Sequence, residues 1–166
     1  DIANIRKIKA LVSIIASSIP FEVDASKLSR LIGTGRDTVI EYMQHLEDAR
    51  IFNLLYSDVR SVGKLTRPDK IYLENANLLY ALSSSEVNIG TARETFVVNQ
   101  LKIKYDVEYG KQQGDFKVDG KYTFEVGGKD KTFSQIAGVR NSFVLSDDIE
   151  TPLGRRLPIW SVGFIA

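Results

Sequence analysis

Residues 114–131 constrain this chain more than any other stretch. Phe116, Val118, Tyr122, Phe124 and Val126 alternate with Asp115, Lys117, Lys121, Thr123 and Glu125. A period of two along both arms is the signature of half-buried strands, so the stretch is predicted to be a β-hairpin. Parity sets its turn. A two-residue loop at Asp119-Gly120 pairs Phe116 with Thr123 and mixes apolar and polar side chains on each face, because a one-residue slip flips a whole strand. A three-residue loop of Val118, Asp119 and Gly120 pairs Lys117 with Lys121 and Asp115 with Thr123. It gathers Phe116, Tyr122, Phe124 and Val126 on one face, and Gly120 supplies the left-handed residue. Asp115 and Glu125 then share the polar face. Two carboxylates on neighbouring strands can share a divalent cation such as magnesium. A solvated face of mixed charge is the plainer alternative.

The remaining chemistry is limited by what the chain lacks. It has 166 residues and no Cys, which removes disulfides, thiolate catalysis and Cys-based metal sites. Its single His, His45, falls in a predicted helix and reads as a surface or packing residue. Net charge is +1, so any nucleic-acid footprint is a local patch. No signal peptide is visible, and no apolar run approaches the ~18 residues of a membrane span. A cytoplasmic protein is expected. The chain begins at Asp1 without Met and already in helical pattern, which suggests a piece of a longer protein.

Ile5, Ile8, Leu11, Val12 and Ile15 have helical spacing. Asp24 is a plausible N-cap for a short helix that Gly33 stops. A longer helix runs from the Thr34-Gly35 turn to Arg50, with Val39, Ile40, Met43 and Leu46 inward. Two helices about a short Gly-containing turn form the helix-turn-helix pattern. Strands are expected at 51–57 and 70–73, so residues 1–84 read as a winged helix-turn-helix domain. DNA-reading winged domains put the second motif helix in the major groove and the wing on the backbone. Arg36 on that helix and Arg60, Lys64 and Arg67 in the wing are the residues placed to meet phosphates. The helix is otherwise acidic, so a protein-contact or spacer role is the alternative. Ser83-Ser84-Ser85 marks the domain boundary. Residues 85–166 then read as a helix opened by Gly90, a strand at Val107 and Tyr109, the hairpin, a short helix or turn at 132–138 and a strand at 141–146. An apolar end closes the chain. Glu94 is expected in the first turn of the helix, where its dipole favours a carboxylate. No P-loop is present: Val62-Gly63-Lys64-Leu65 and Gly127-Gly128-Lys129 both lack the pattern.

Several segments together carry a likeness. They are Thr38-Val39-Ile40-Glu41-Tyr42-Met43-Gln44-His45-Leu46-Glu47-Asp48-Ala49, Asp69-Lys70-Ile71-Tyr72-Leu73-Glu74-Asn75, Gly90 with Arg93-Glu94-Thr95-Phe96, Gly114-Asp115-Phe116, and Phe124-Glu125-Val126-Gly127-Gly128-Lys129. They resemble the C-terminal region of a large family of prokaryotic AAA-type ATPases, in which a P-loop ATPase domain precedes a winged helix and a domain of uncharacterised function. The last part looks like a restriction-endonuclease-like fold of the Pro-Asp…Asp/Glu-x-Lys superfamily. The expected class is therefore α+β: a winged helix-turn-helix followed by an αβββαβ nuclease-like domain. The resemblance implies that ATP is bound upstream, in an N-terminal domain of the same chain. It also implies that Glu94, Asp115 and Glu125 hold magnesium. The family's Lys belongs two residues after Glu125, where this chain has Gly127; Lys129 has the right parity to replace it. Three functions stay open: a degenerate nuclease-like module that binds nucleic acid or a partner, an active magnesium-dependent DNase, or a protein-interaction region only.

Overall fold

The computed structural model describes residues 2–57, 66–83 and 86–165, the Ile2 side chain apart. The protein is α+β, and it divides into two compact units: the first takes the chain up to Val87 apart from a short segment beginning at Ser57, and the second takes that segment and the chain from Asn88 onward. Arg60 and Lys64, and Ser84 and Ser85 of the expected link, lie outside the described residues. Among the described residues no helix is long and apolar enough to cross a membrane.

The first unit runs α1 (Ile2–Ala16), β1 (Phe21–Glu22), α2 (Ala25–Ile32), α3 (Arg36–Asp48), β2 (Phe52–Leu55), β3 (Lys70–Leu73) and α4 (Ala76–Leu82). Its antiparallel sheet has the order β1-β3-β2. Asp24 caps α2 by accepting the Lys27 amide at 2.9 Å, and Gly33 ends it at φ +64°. Only glycine adopts that conformation without steric cost, so the chain turns there. Asn75 caps α4 in the same way through the Leu78 amide. Leu11, Ile15, Leu28, Met43, Phe52 and Ile71 are buried and form the core. The two-residue β1 carries too little alternation to be seen in the sequence.

The second unit runs α5 (Ile89–Lys102), β4 (Val107–Tyr109), β5 (Phe116–Val118), β6 (Tyr122–Gly127), a 3-10 helix (Ser134–Ile136), β7 (Ser142–Ser146), β8 (Arg156–Pro158) and a second 3-10 helix (Ile159–Phe164). One sheet holds the strands in the order β4-β5-β6-β7-β8. β4, β5 and β6 are antiparallel neighbours; β7 and β8 add in parallel. Parallel neighbours normally need a helical crossover of a dozen residues or so. Here the β6–β7 crossover contains only the short 3-10 helix. The apolar end expected to close the chain contains a strand: Arg156–Pro158 pairs with β7.

The hairpin register differs from the expected one. The pairs are Phe116 with Phe124, Lys117 with Thr123 and Val118 with Tyr122. Asp119 and Gly120 both have positive φ, and the Lys121 amide donates to the Val118 carbonyl. Asp119-Gly120 is thus the centre of the turn after all, and Lys121 is one extra residue that restores the parity. The physical reason is charge. The expected register puts Lys117 directly opposite Lys121, a destabilising like-charge pair. The observed one faces Lys117 with Thr123 and with Glu108.

Candidate functional site

Asp115 stands one residue before β5, at the end of a tight loop. Gly114 has φ +78°, and a Cβ there would lie 2.9 Å from the Phe124 carbonyl oxygen. That close approach lets the Asp115 amide donate to the Phe124 carbonyl at 2.9 Å. The Asp115 Oδ2 atom then accepts the Val126 amide at 2.8 Å. The residue therefore brackets Glu125, holding β6 by its backbone on one side and by its carboxylate on the other. Glu125 points to the same polar face and is fully buried.

Glu125 has two partners. The Lys131 ammonium contacts its Oε1. The Gln135 amide, with its nitrogen turned inward, donates to Oε2 at 3.0 Å. Lys131 reaches Glu125 across Gly127: a Cβ on residue 127 would come within 2.7 Å of the Lys131 Cβ, Cγ and Cδ atoms. The Lys131 stem occupies the space that a side chain at 127 would fill. Lys129, the residue expected to deliver the positive charge, is exposed instead. Arg156 on β8 explains the arrangement of this loop. Its guanidinium donates to the Lys129 carbonyl at 3.0 Å, to the Lys131 carbonyl and to Ser146 Oγ at 2.7 Å. The backbone on both sides of residue 130 is thereby gripped, and Lys131 is turned inward.

Glu94 lies in the second turn of α5, whose N-cap is Asn88, so the first-turn reading does not hold. The helix dipole acts mainly within the first turn. Its neighbour Arg93 donates to Asp147 Oδ2 at 3.0 Å, tying this turn of α5 to the end of β7. The electrostatics join Glu94 to the strands. Asp115 is pushed up to about 6, first by burial and then by the negative charge of Glu94, with Glu125 adding to it; the Val126 amide and Lys131 pull the other way. For Lys131, burial alone would lower the pKa, but the hydrogen bond to Glu125 and the charges of Glu125, Asp115 and Glu94 outweigh it and raise it. Glu94, Asp115, Glu125 and Lys131 thus form one electrostatic cluster.

Carboxylate oxygens are the donors that magnesium takes. Burial first, and then repulsion from Glu94 and Glu125, raises Asp115, and a cation here would offset that negative charge. Among the described residues, however, no three acidic or histidine side chains converge closely enough to hold an ion as they stand. The positive charge now on Glu125 belongs to Lys131.

Of the residues expected to meet phosphates, Arg36 is exposed at the first position of α3. Arg67 is turned to the chain's own backbone, donating to the Val23 carbonyl at 3.0 Å. Lys131, which follows Lys129 in the sequence, takes the place beside Glu125 expected of Lys129, and no sequence motif marks Gln135 or Arg156. The one visible signal was Gly127 itself, a residue small enough to be crossed. No family model, curated protein or solved structure matches this chain.

Proposed function

We propose that the chain joins a winged helix-turn-helix to a nuclease-like domain of the Pro-Asp…Asp/Glu-x-Lys type, and that the second unit cleaves phosphodiester bonds. The observation that carries the reading is the Lys131 side chain lying over Gly127 with its ammonium on Glu125. It supplies a lysine where the strand motif lacks one. The element order supports it as well: a helix, three antiparallel strands, a crossover and a parallel strand. The β1-β3-β2 sheet behind three helices supports the winged reading of the first unit.

In this reading Asp115 and Glu125, with Glu94 drawn in from α5, would hold magnesium. When bound, that ion neutralises phosphate charge and acidifies a coordinated water. Lys131 places a fixed positive charge beside the same carboxylates, suited to orienting a water and stabilising charge that develops on phosphate oxygens. Gln135 and the Val126 amide hold the two strand carboxylates in place. Burial of Glu125 excludes bulk water from one side.

A second reading is favoured by a specific observation: Glu125 is buried and already satisfied by Lys131 and Gln135, as in a site kept only for binding. Incubation of plasmid and single-stranded DNA with the protein, in magnesium and in manganese, decides between them. Cleavage that is lost in Glu125→Ala and in Lys131→Ala, yet kept in Lys129→Ala, supports the nuclease. Absence of cleavage by the folded protein, or equal cleavage by Glu125→Ala, refutes it.

A further inference from the structure

Four cations, Lys111, Lys117, Lys121 and Arg140, line one groove of the second unit together with Gln113 and Thr123. Among the described residues no acidic side chain lines it. In a chain of net charge +1 this is a strong local excess. Separate local structures deliver the charges. Lys111 sits at φ 53° in the β4–β5 loop, Lys117 on β5, Lys121 is the extra residue of the hairpin turn, and Arg140 precedes β7. All four are exposed. Lys117 is partly offset by Glu108 at 3.6 Å, and Lys121 lies over the Tyr122 ring.

The groove is not placed at random relative to the carboxylates. Lys117 and Thr123 are paired across β5 and β6. Each is two residues from Asp115 or Glu125, so all four project to one face about 6–7 Å apart along the strands. Among the described residues only Lys117 of the four has an acidic ion-pair partner, Glu108, and clustered like charges repel one another until an anion arrives. Cations spread over several turns suit an extended polyanion better than a single phosphate.

We propose that this groove binds the phosphodiester backbone of a nucleic-acid strand and leads it to the Asp115–Glu125 pair. The inference rests on the nuclease reading for what happens next, but the binding itself requires no chemistry. The test is fluorescence anisotropy of a labelled single-stranded oligonucleotide with the whole protein in chelator, over a range of salt. The variant carries Lys111→Ala, Lys117→Ala, Lys121→Ala and Arg140→Ala, and circular dichroism confirms its fold. Single strands release counterions with a slope of about 0.7 per neutralised phosphate, so the variant should lose about 3 from the slope of log K against log salt, and at least about tenfold in affinity. Lys102→Ala with Lys104→Ala, at the C-terminal end of α5, should leave the slope unchanged. An unchanged slope in the groove variant, an equal loss in the α5 control, or binding of polyglutamate in place of the oligonucleotide overturns the proposal. A protein that cleaves nothing but loses its slope in the groove variant sinks the nuclease reading and leaves the groove standing.

Discussion

Replacing Asp115 with Asn should stabilise the protein, and by an amount that depends on pH. The Asp115 carboxyl has a value of about 6 in the folded protein against 3.8 as a reference, with burial as the first cause and Glu94 as the second. At about 1.4 kcal/mol per pK unit, that rise corresponds to about 3 kcal/mol. Asp115 is half-buried, and solvent screening brings the figure nearer to about 2 kcal/mol. The sign follows from proton binding. Between the two values the folded state holds the proton and the unfolded state does not, so stability falls as pH rises from 3.8 to about 6. Above that window the full cost is present. Asn carries no charge, and its Oδ1 can still accept the Val126 amide that Asp115 Oδ2 accepts now. The gap between Asp115→Asn and the parent should therefore be absent below the window, open through it, and level off above it. Trp160, the only Trp, lies in the second unit, so denaturant unfolding followed by its fluorescence reads that unit. Glu94→Gln should shrink the gap without closing it, because burial leads the effect. A gap that is constant with pH, or one that narrows as pH rises, would refute the reasoning.

Lys131→Met leaves the buried Glu125 carboxylate with Gln135 alone, and breaking a buried pair from one side should cost about 3 kcal/mol in the same unfolding experiment. Lys129→Met, on an exposed side chain, should leave the midpoint where it was. Gly114→Ala forces a left-handed residue and drives a Cβ against Thr123 and Phe124, so it should lose about 2–4 kcal/mol, measured by the same fluorescence.

Much of the local structure was legible because it depends on neighbours in sequence. Asp24 and Gly33 bound α2, and the alternation from Phe116 to Val126 marks two strands, by rules that act over a few residues. That Asp115 and Glu125 share a face followed from parity, but the expected register set Asp115 against Thr123, and the observed pairing is shifted from it. The hairpin loop was harder, because a turn preference at Asp119-Gly120 and a facial preference along the arms disagreed, and one extra residue at Lys121 satisfied both. β8 was hidden because Arg156–Pro158 is short and is a strand only through its pairing with β7. Lys131 was hidden for a related reason. What brings it to Glu125 is the open space above Gly127 and the grip of Arg156, from residues four before and 25 after it in the chain. No pattern along one strand records either.

A motif lysine on a strand is as immobile as the sheet. In this protein the ammonium arrives on a connecting segment fastened to β8 by a single guanidinium. The acidic and basic halves of the site therefore belong to separate pieces of backbone, and the carboxylates can be in position whether or not the lysine is. Release of the Arg156 clasp would uncouple the two halves without disturbing a strand. The clasp that sets the lysine thus lies on the edge strand β8 rather than among the carboxylates.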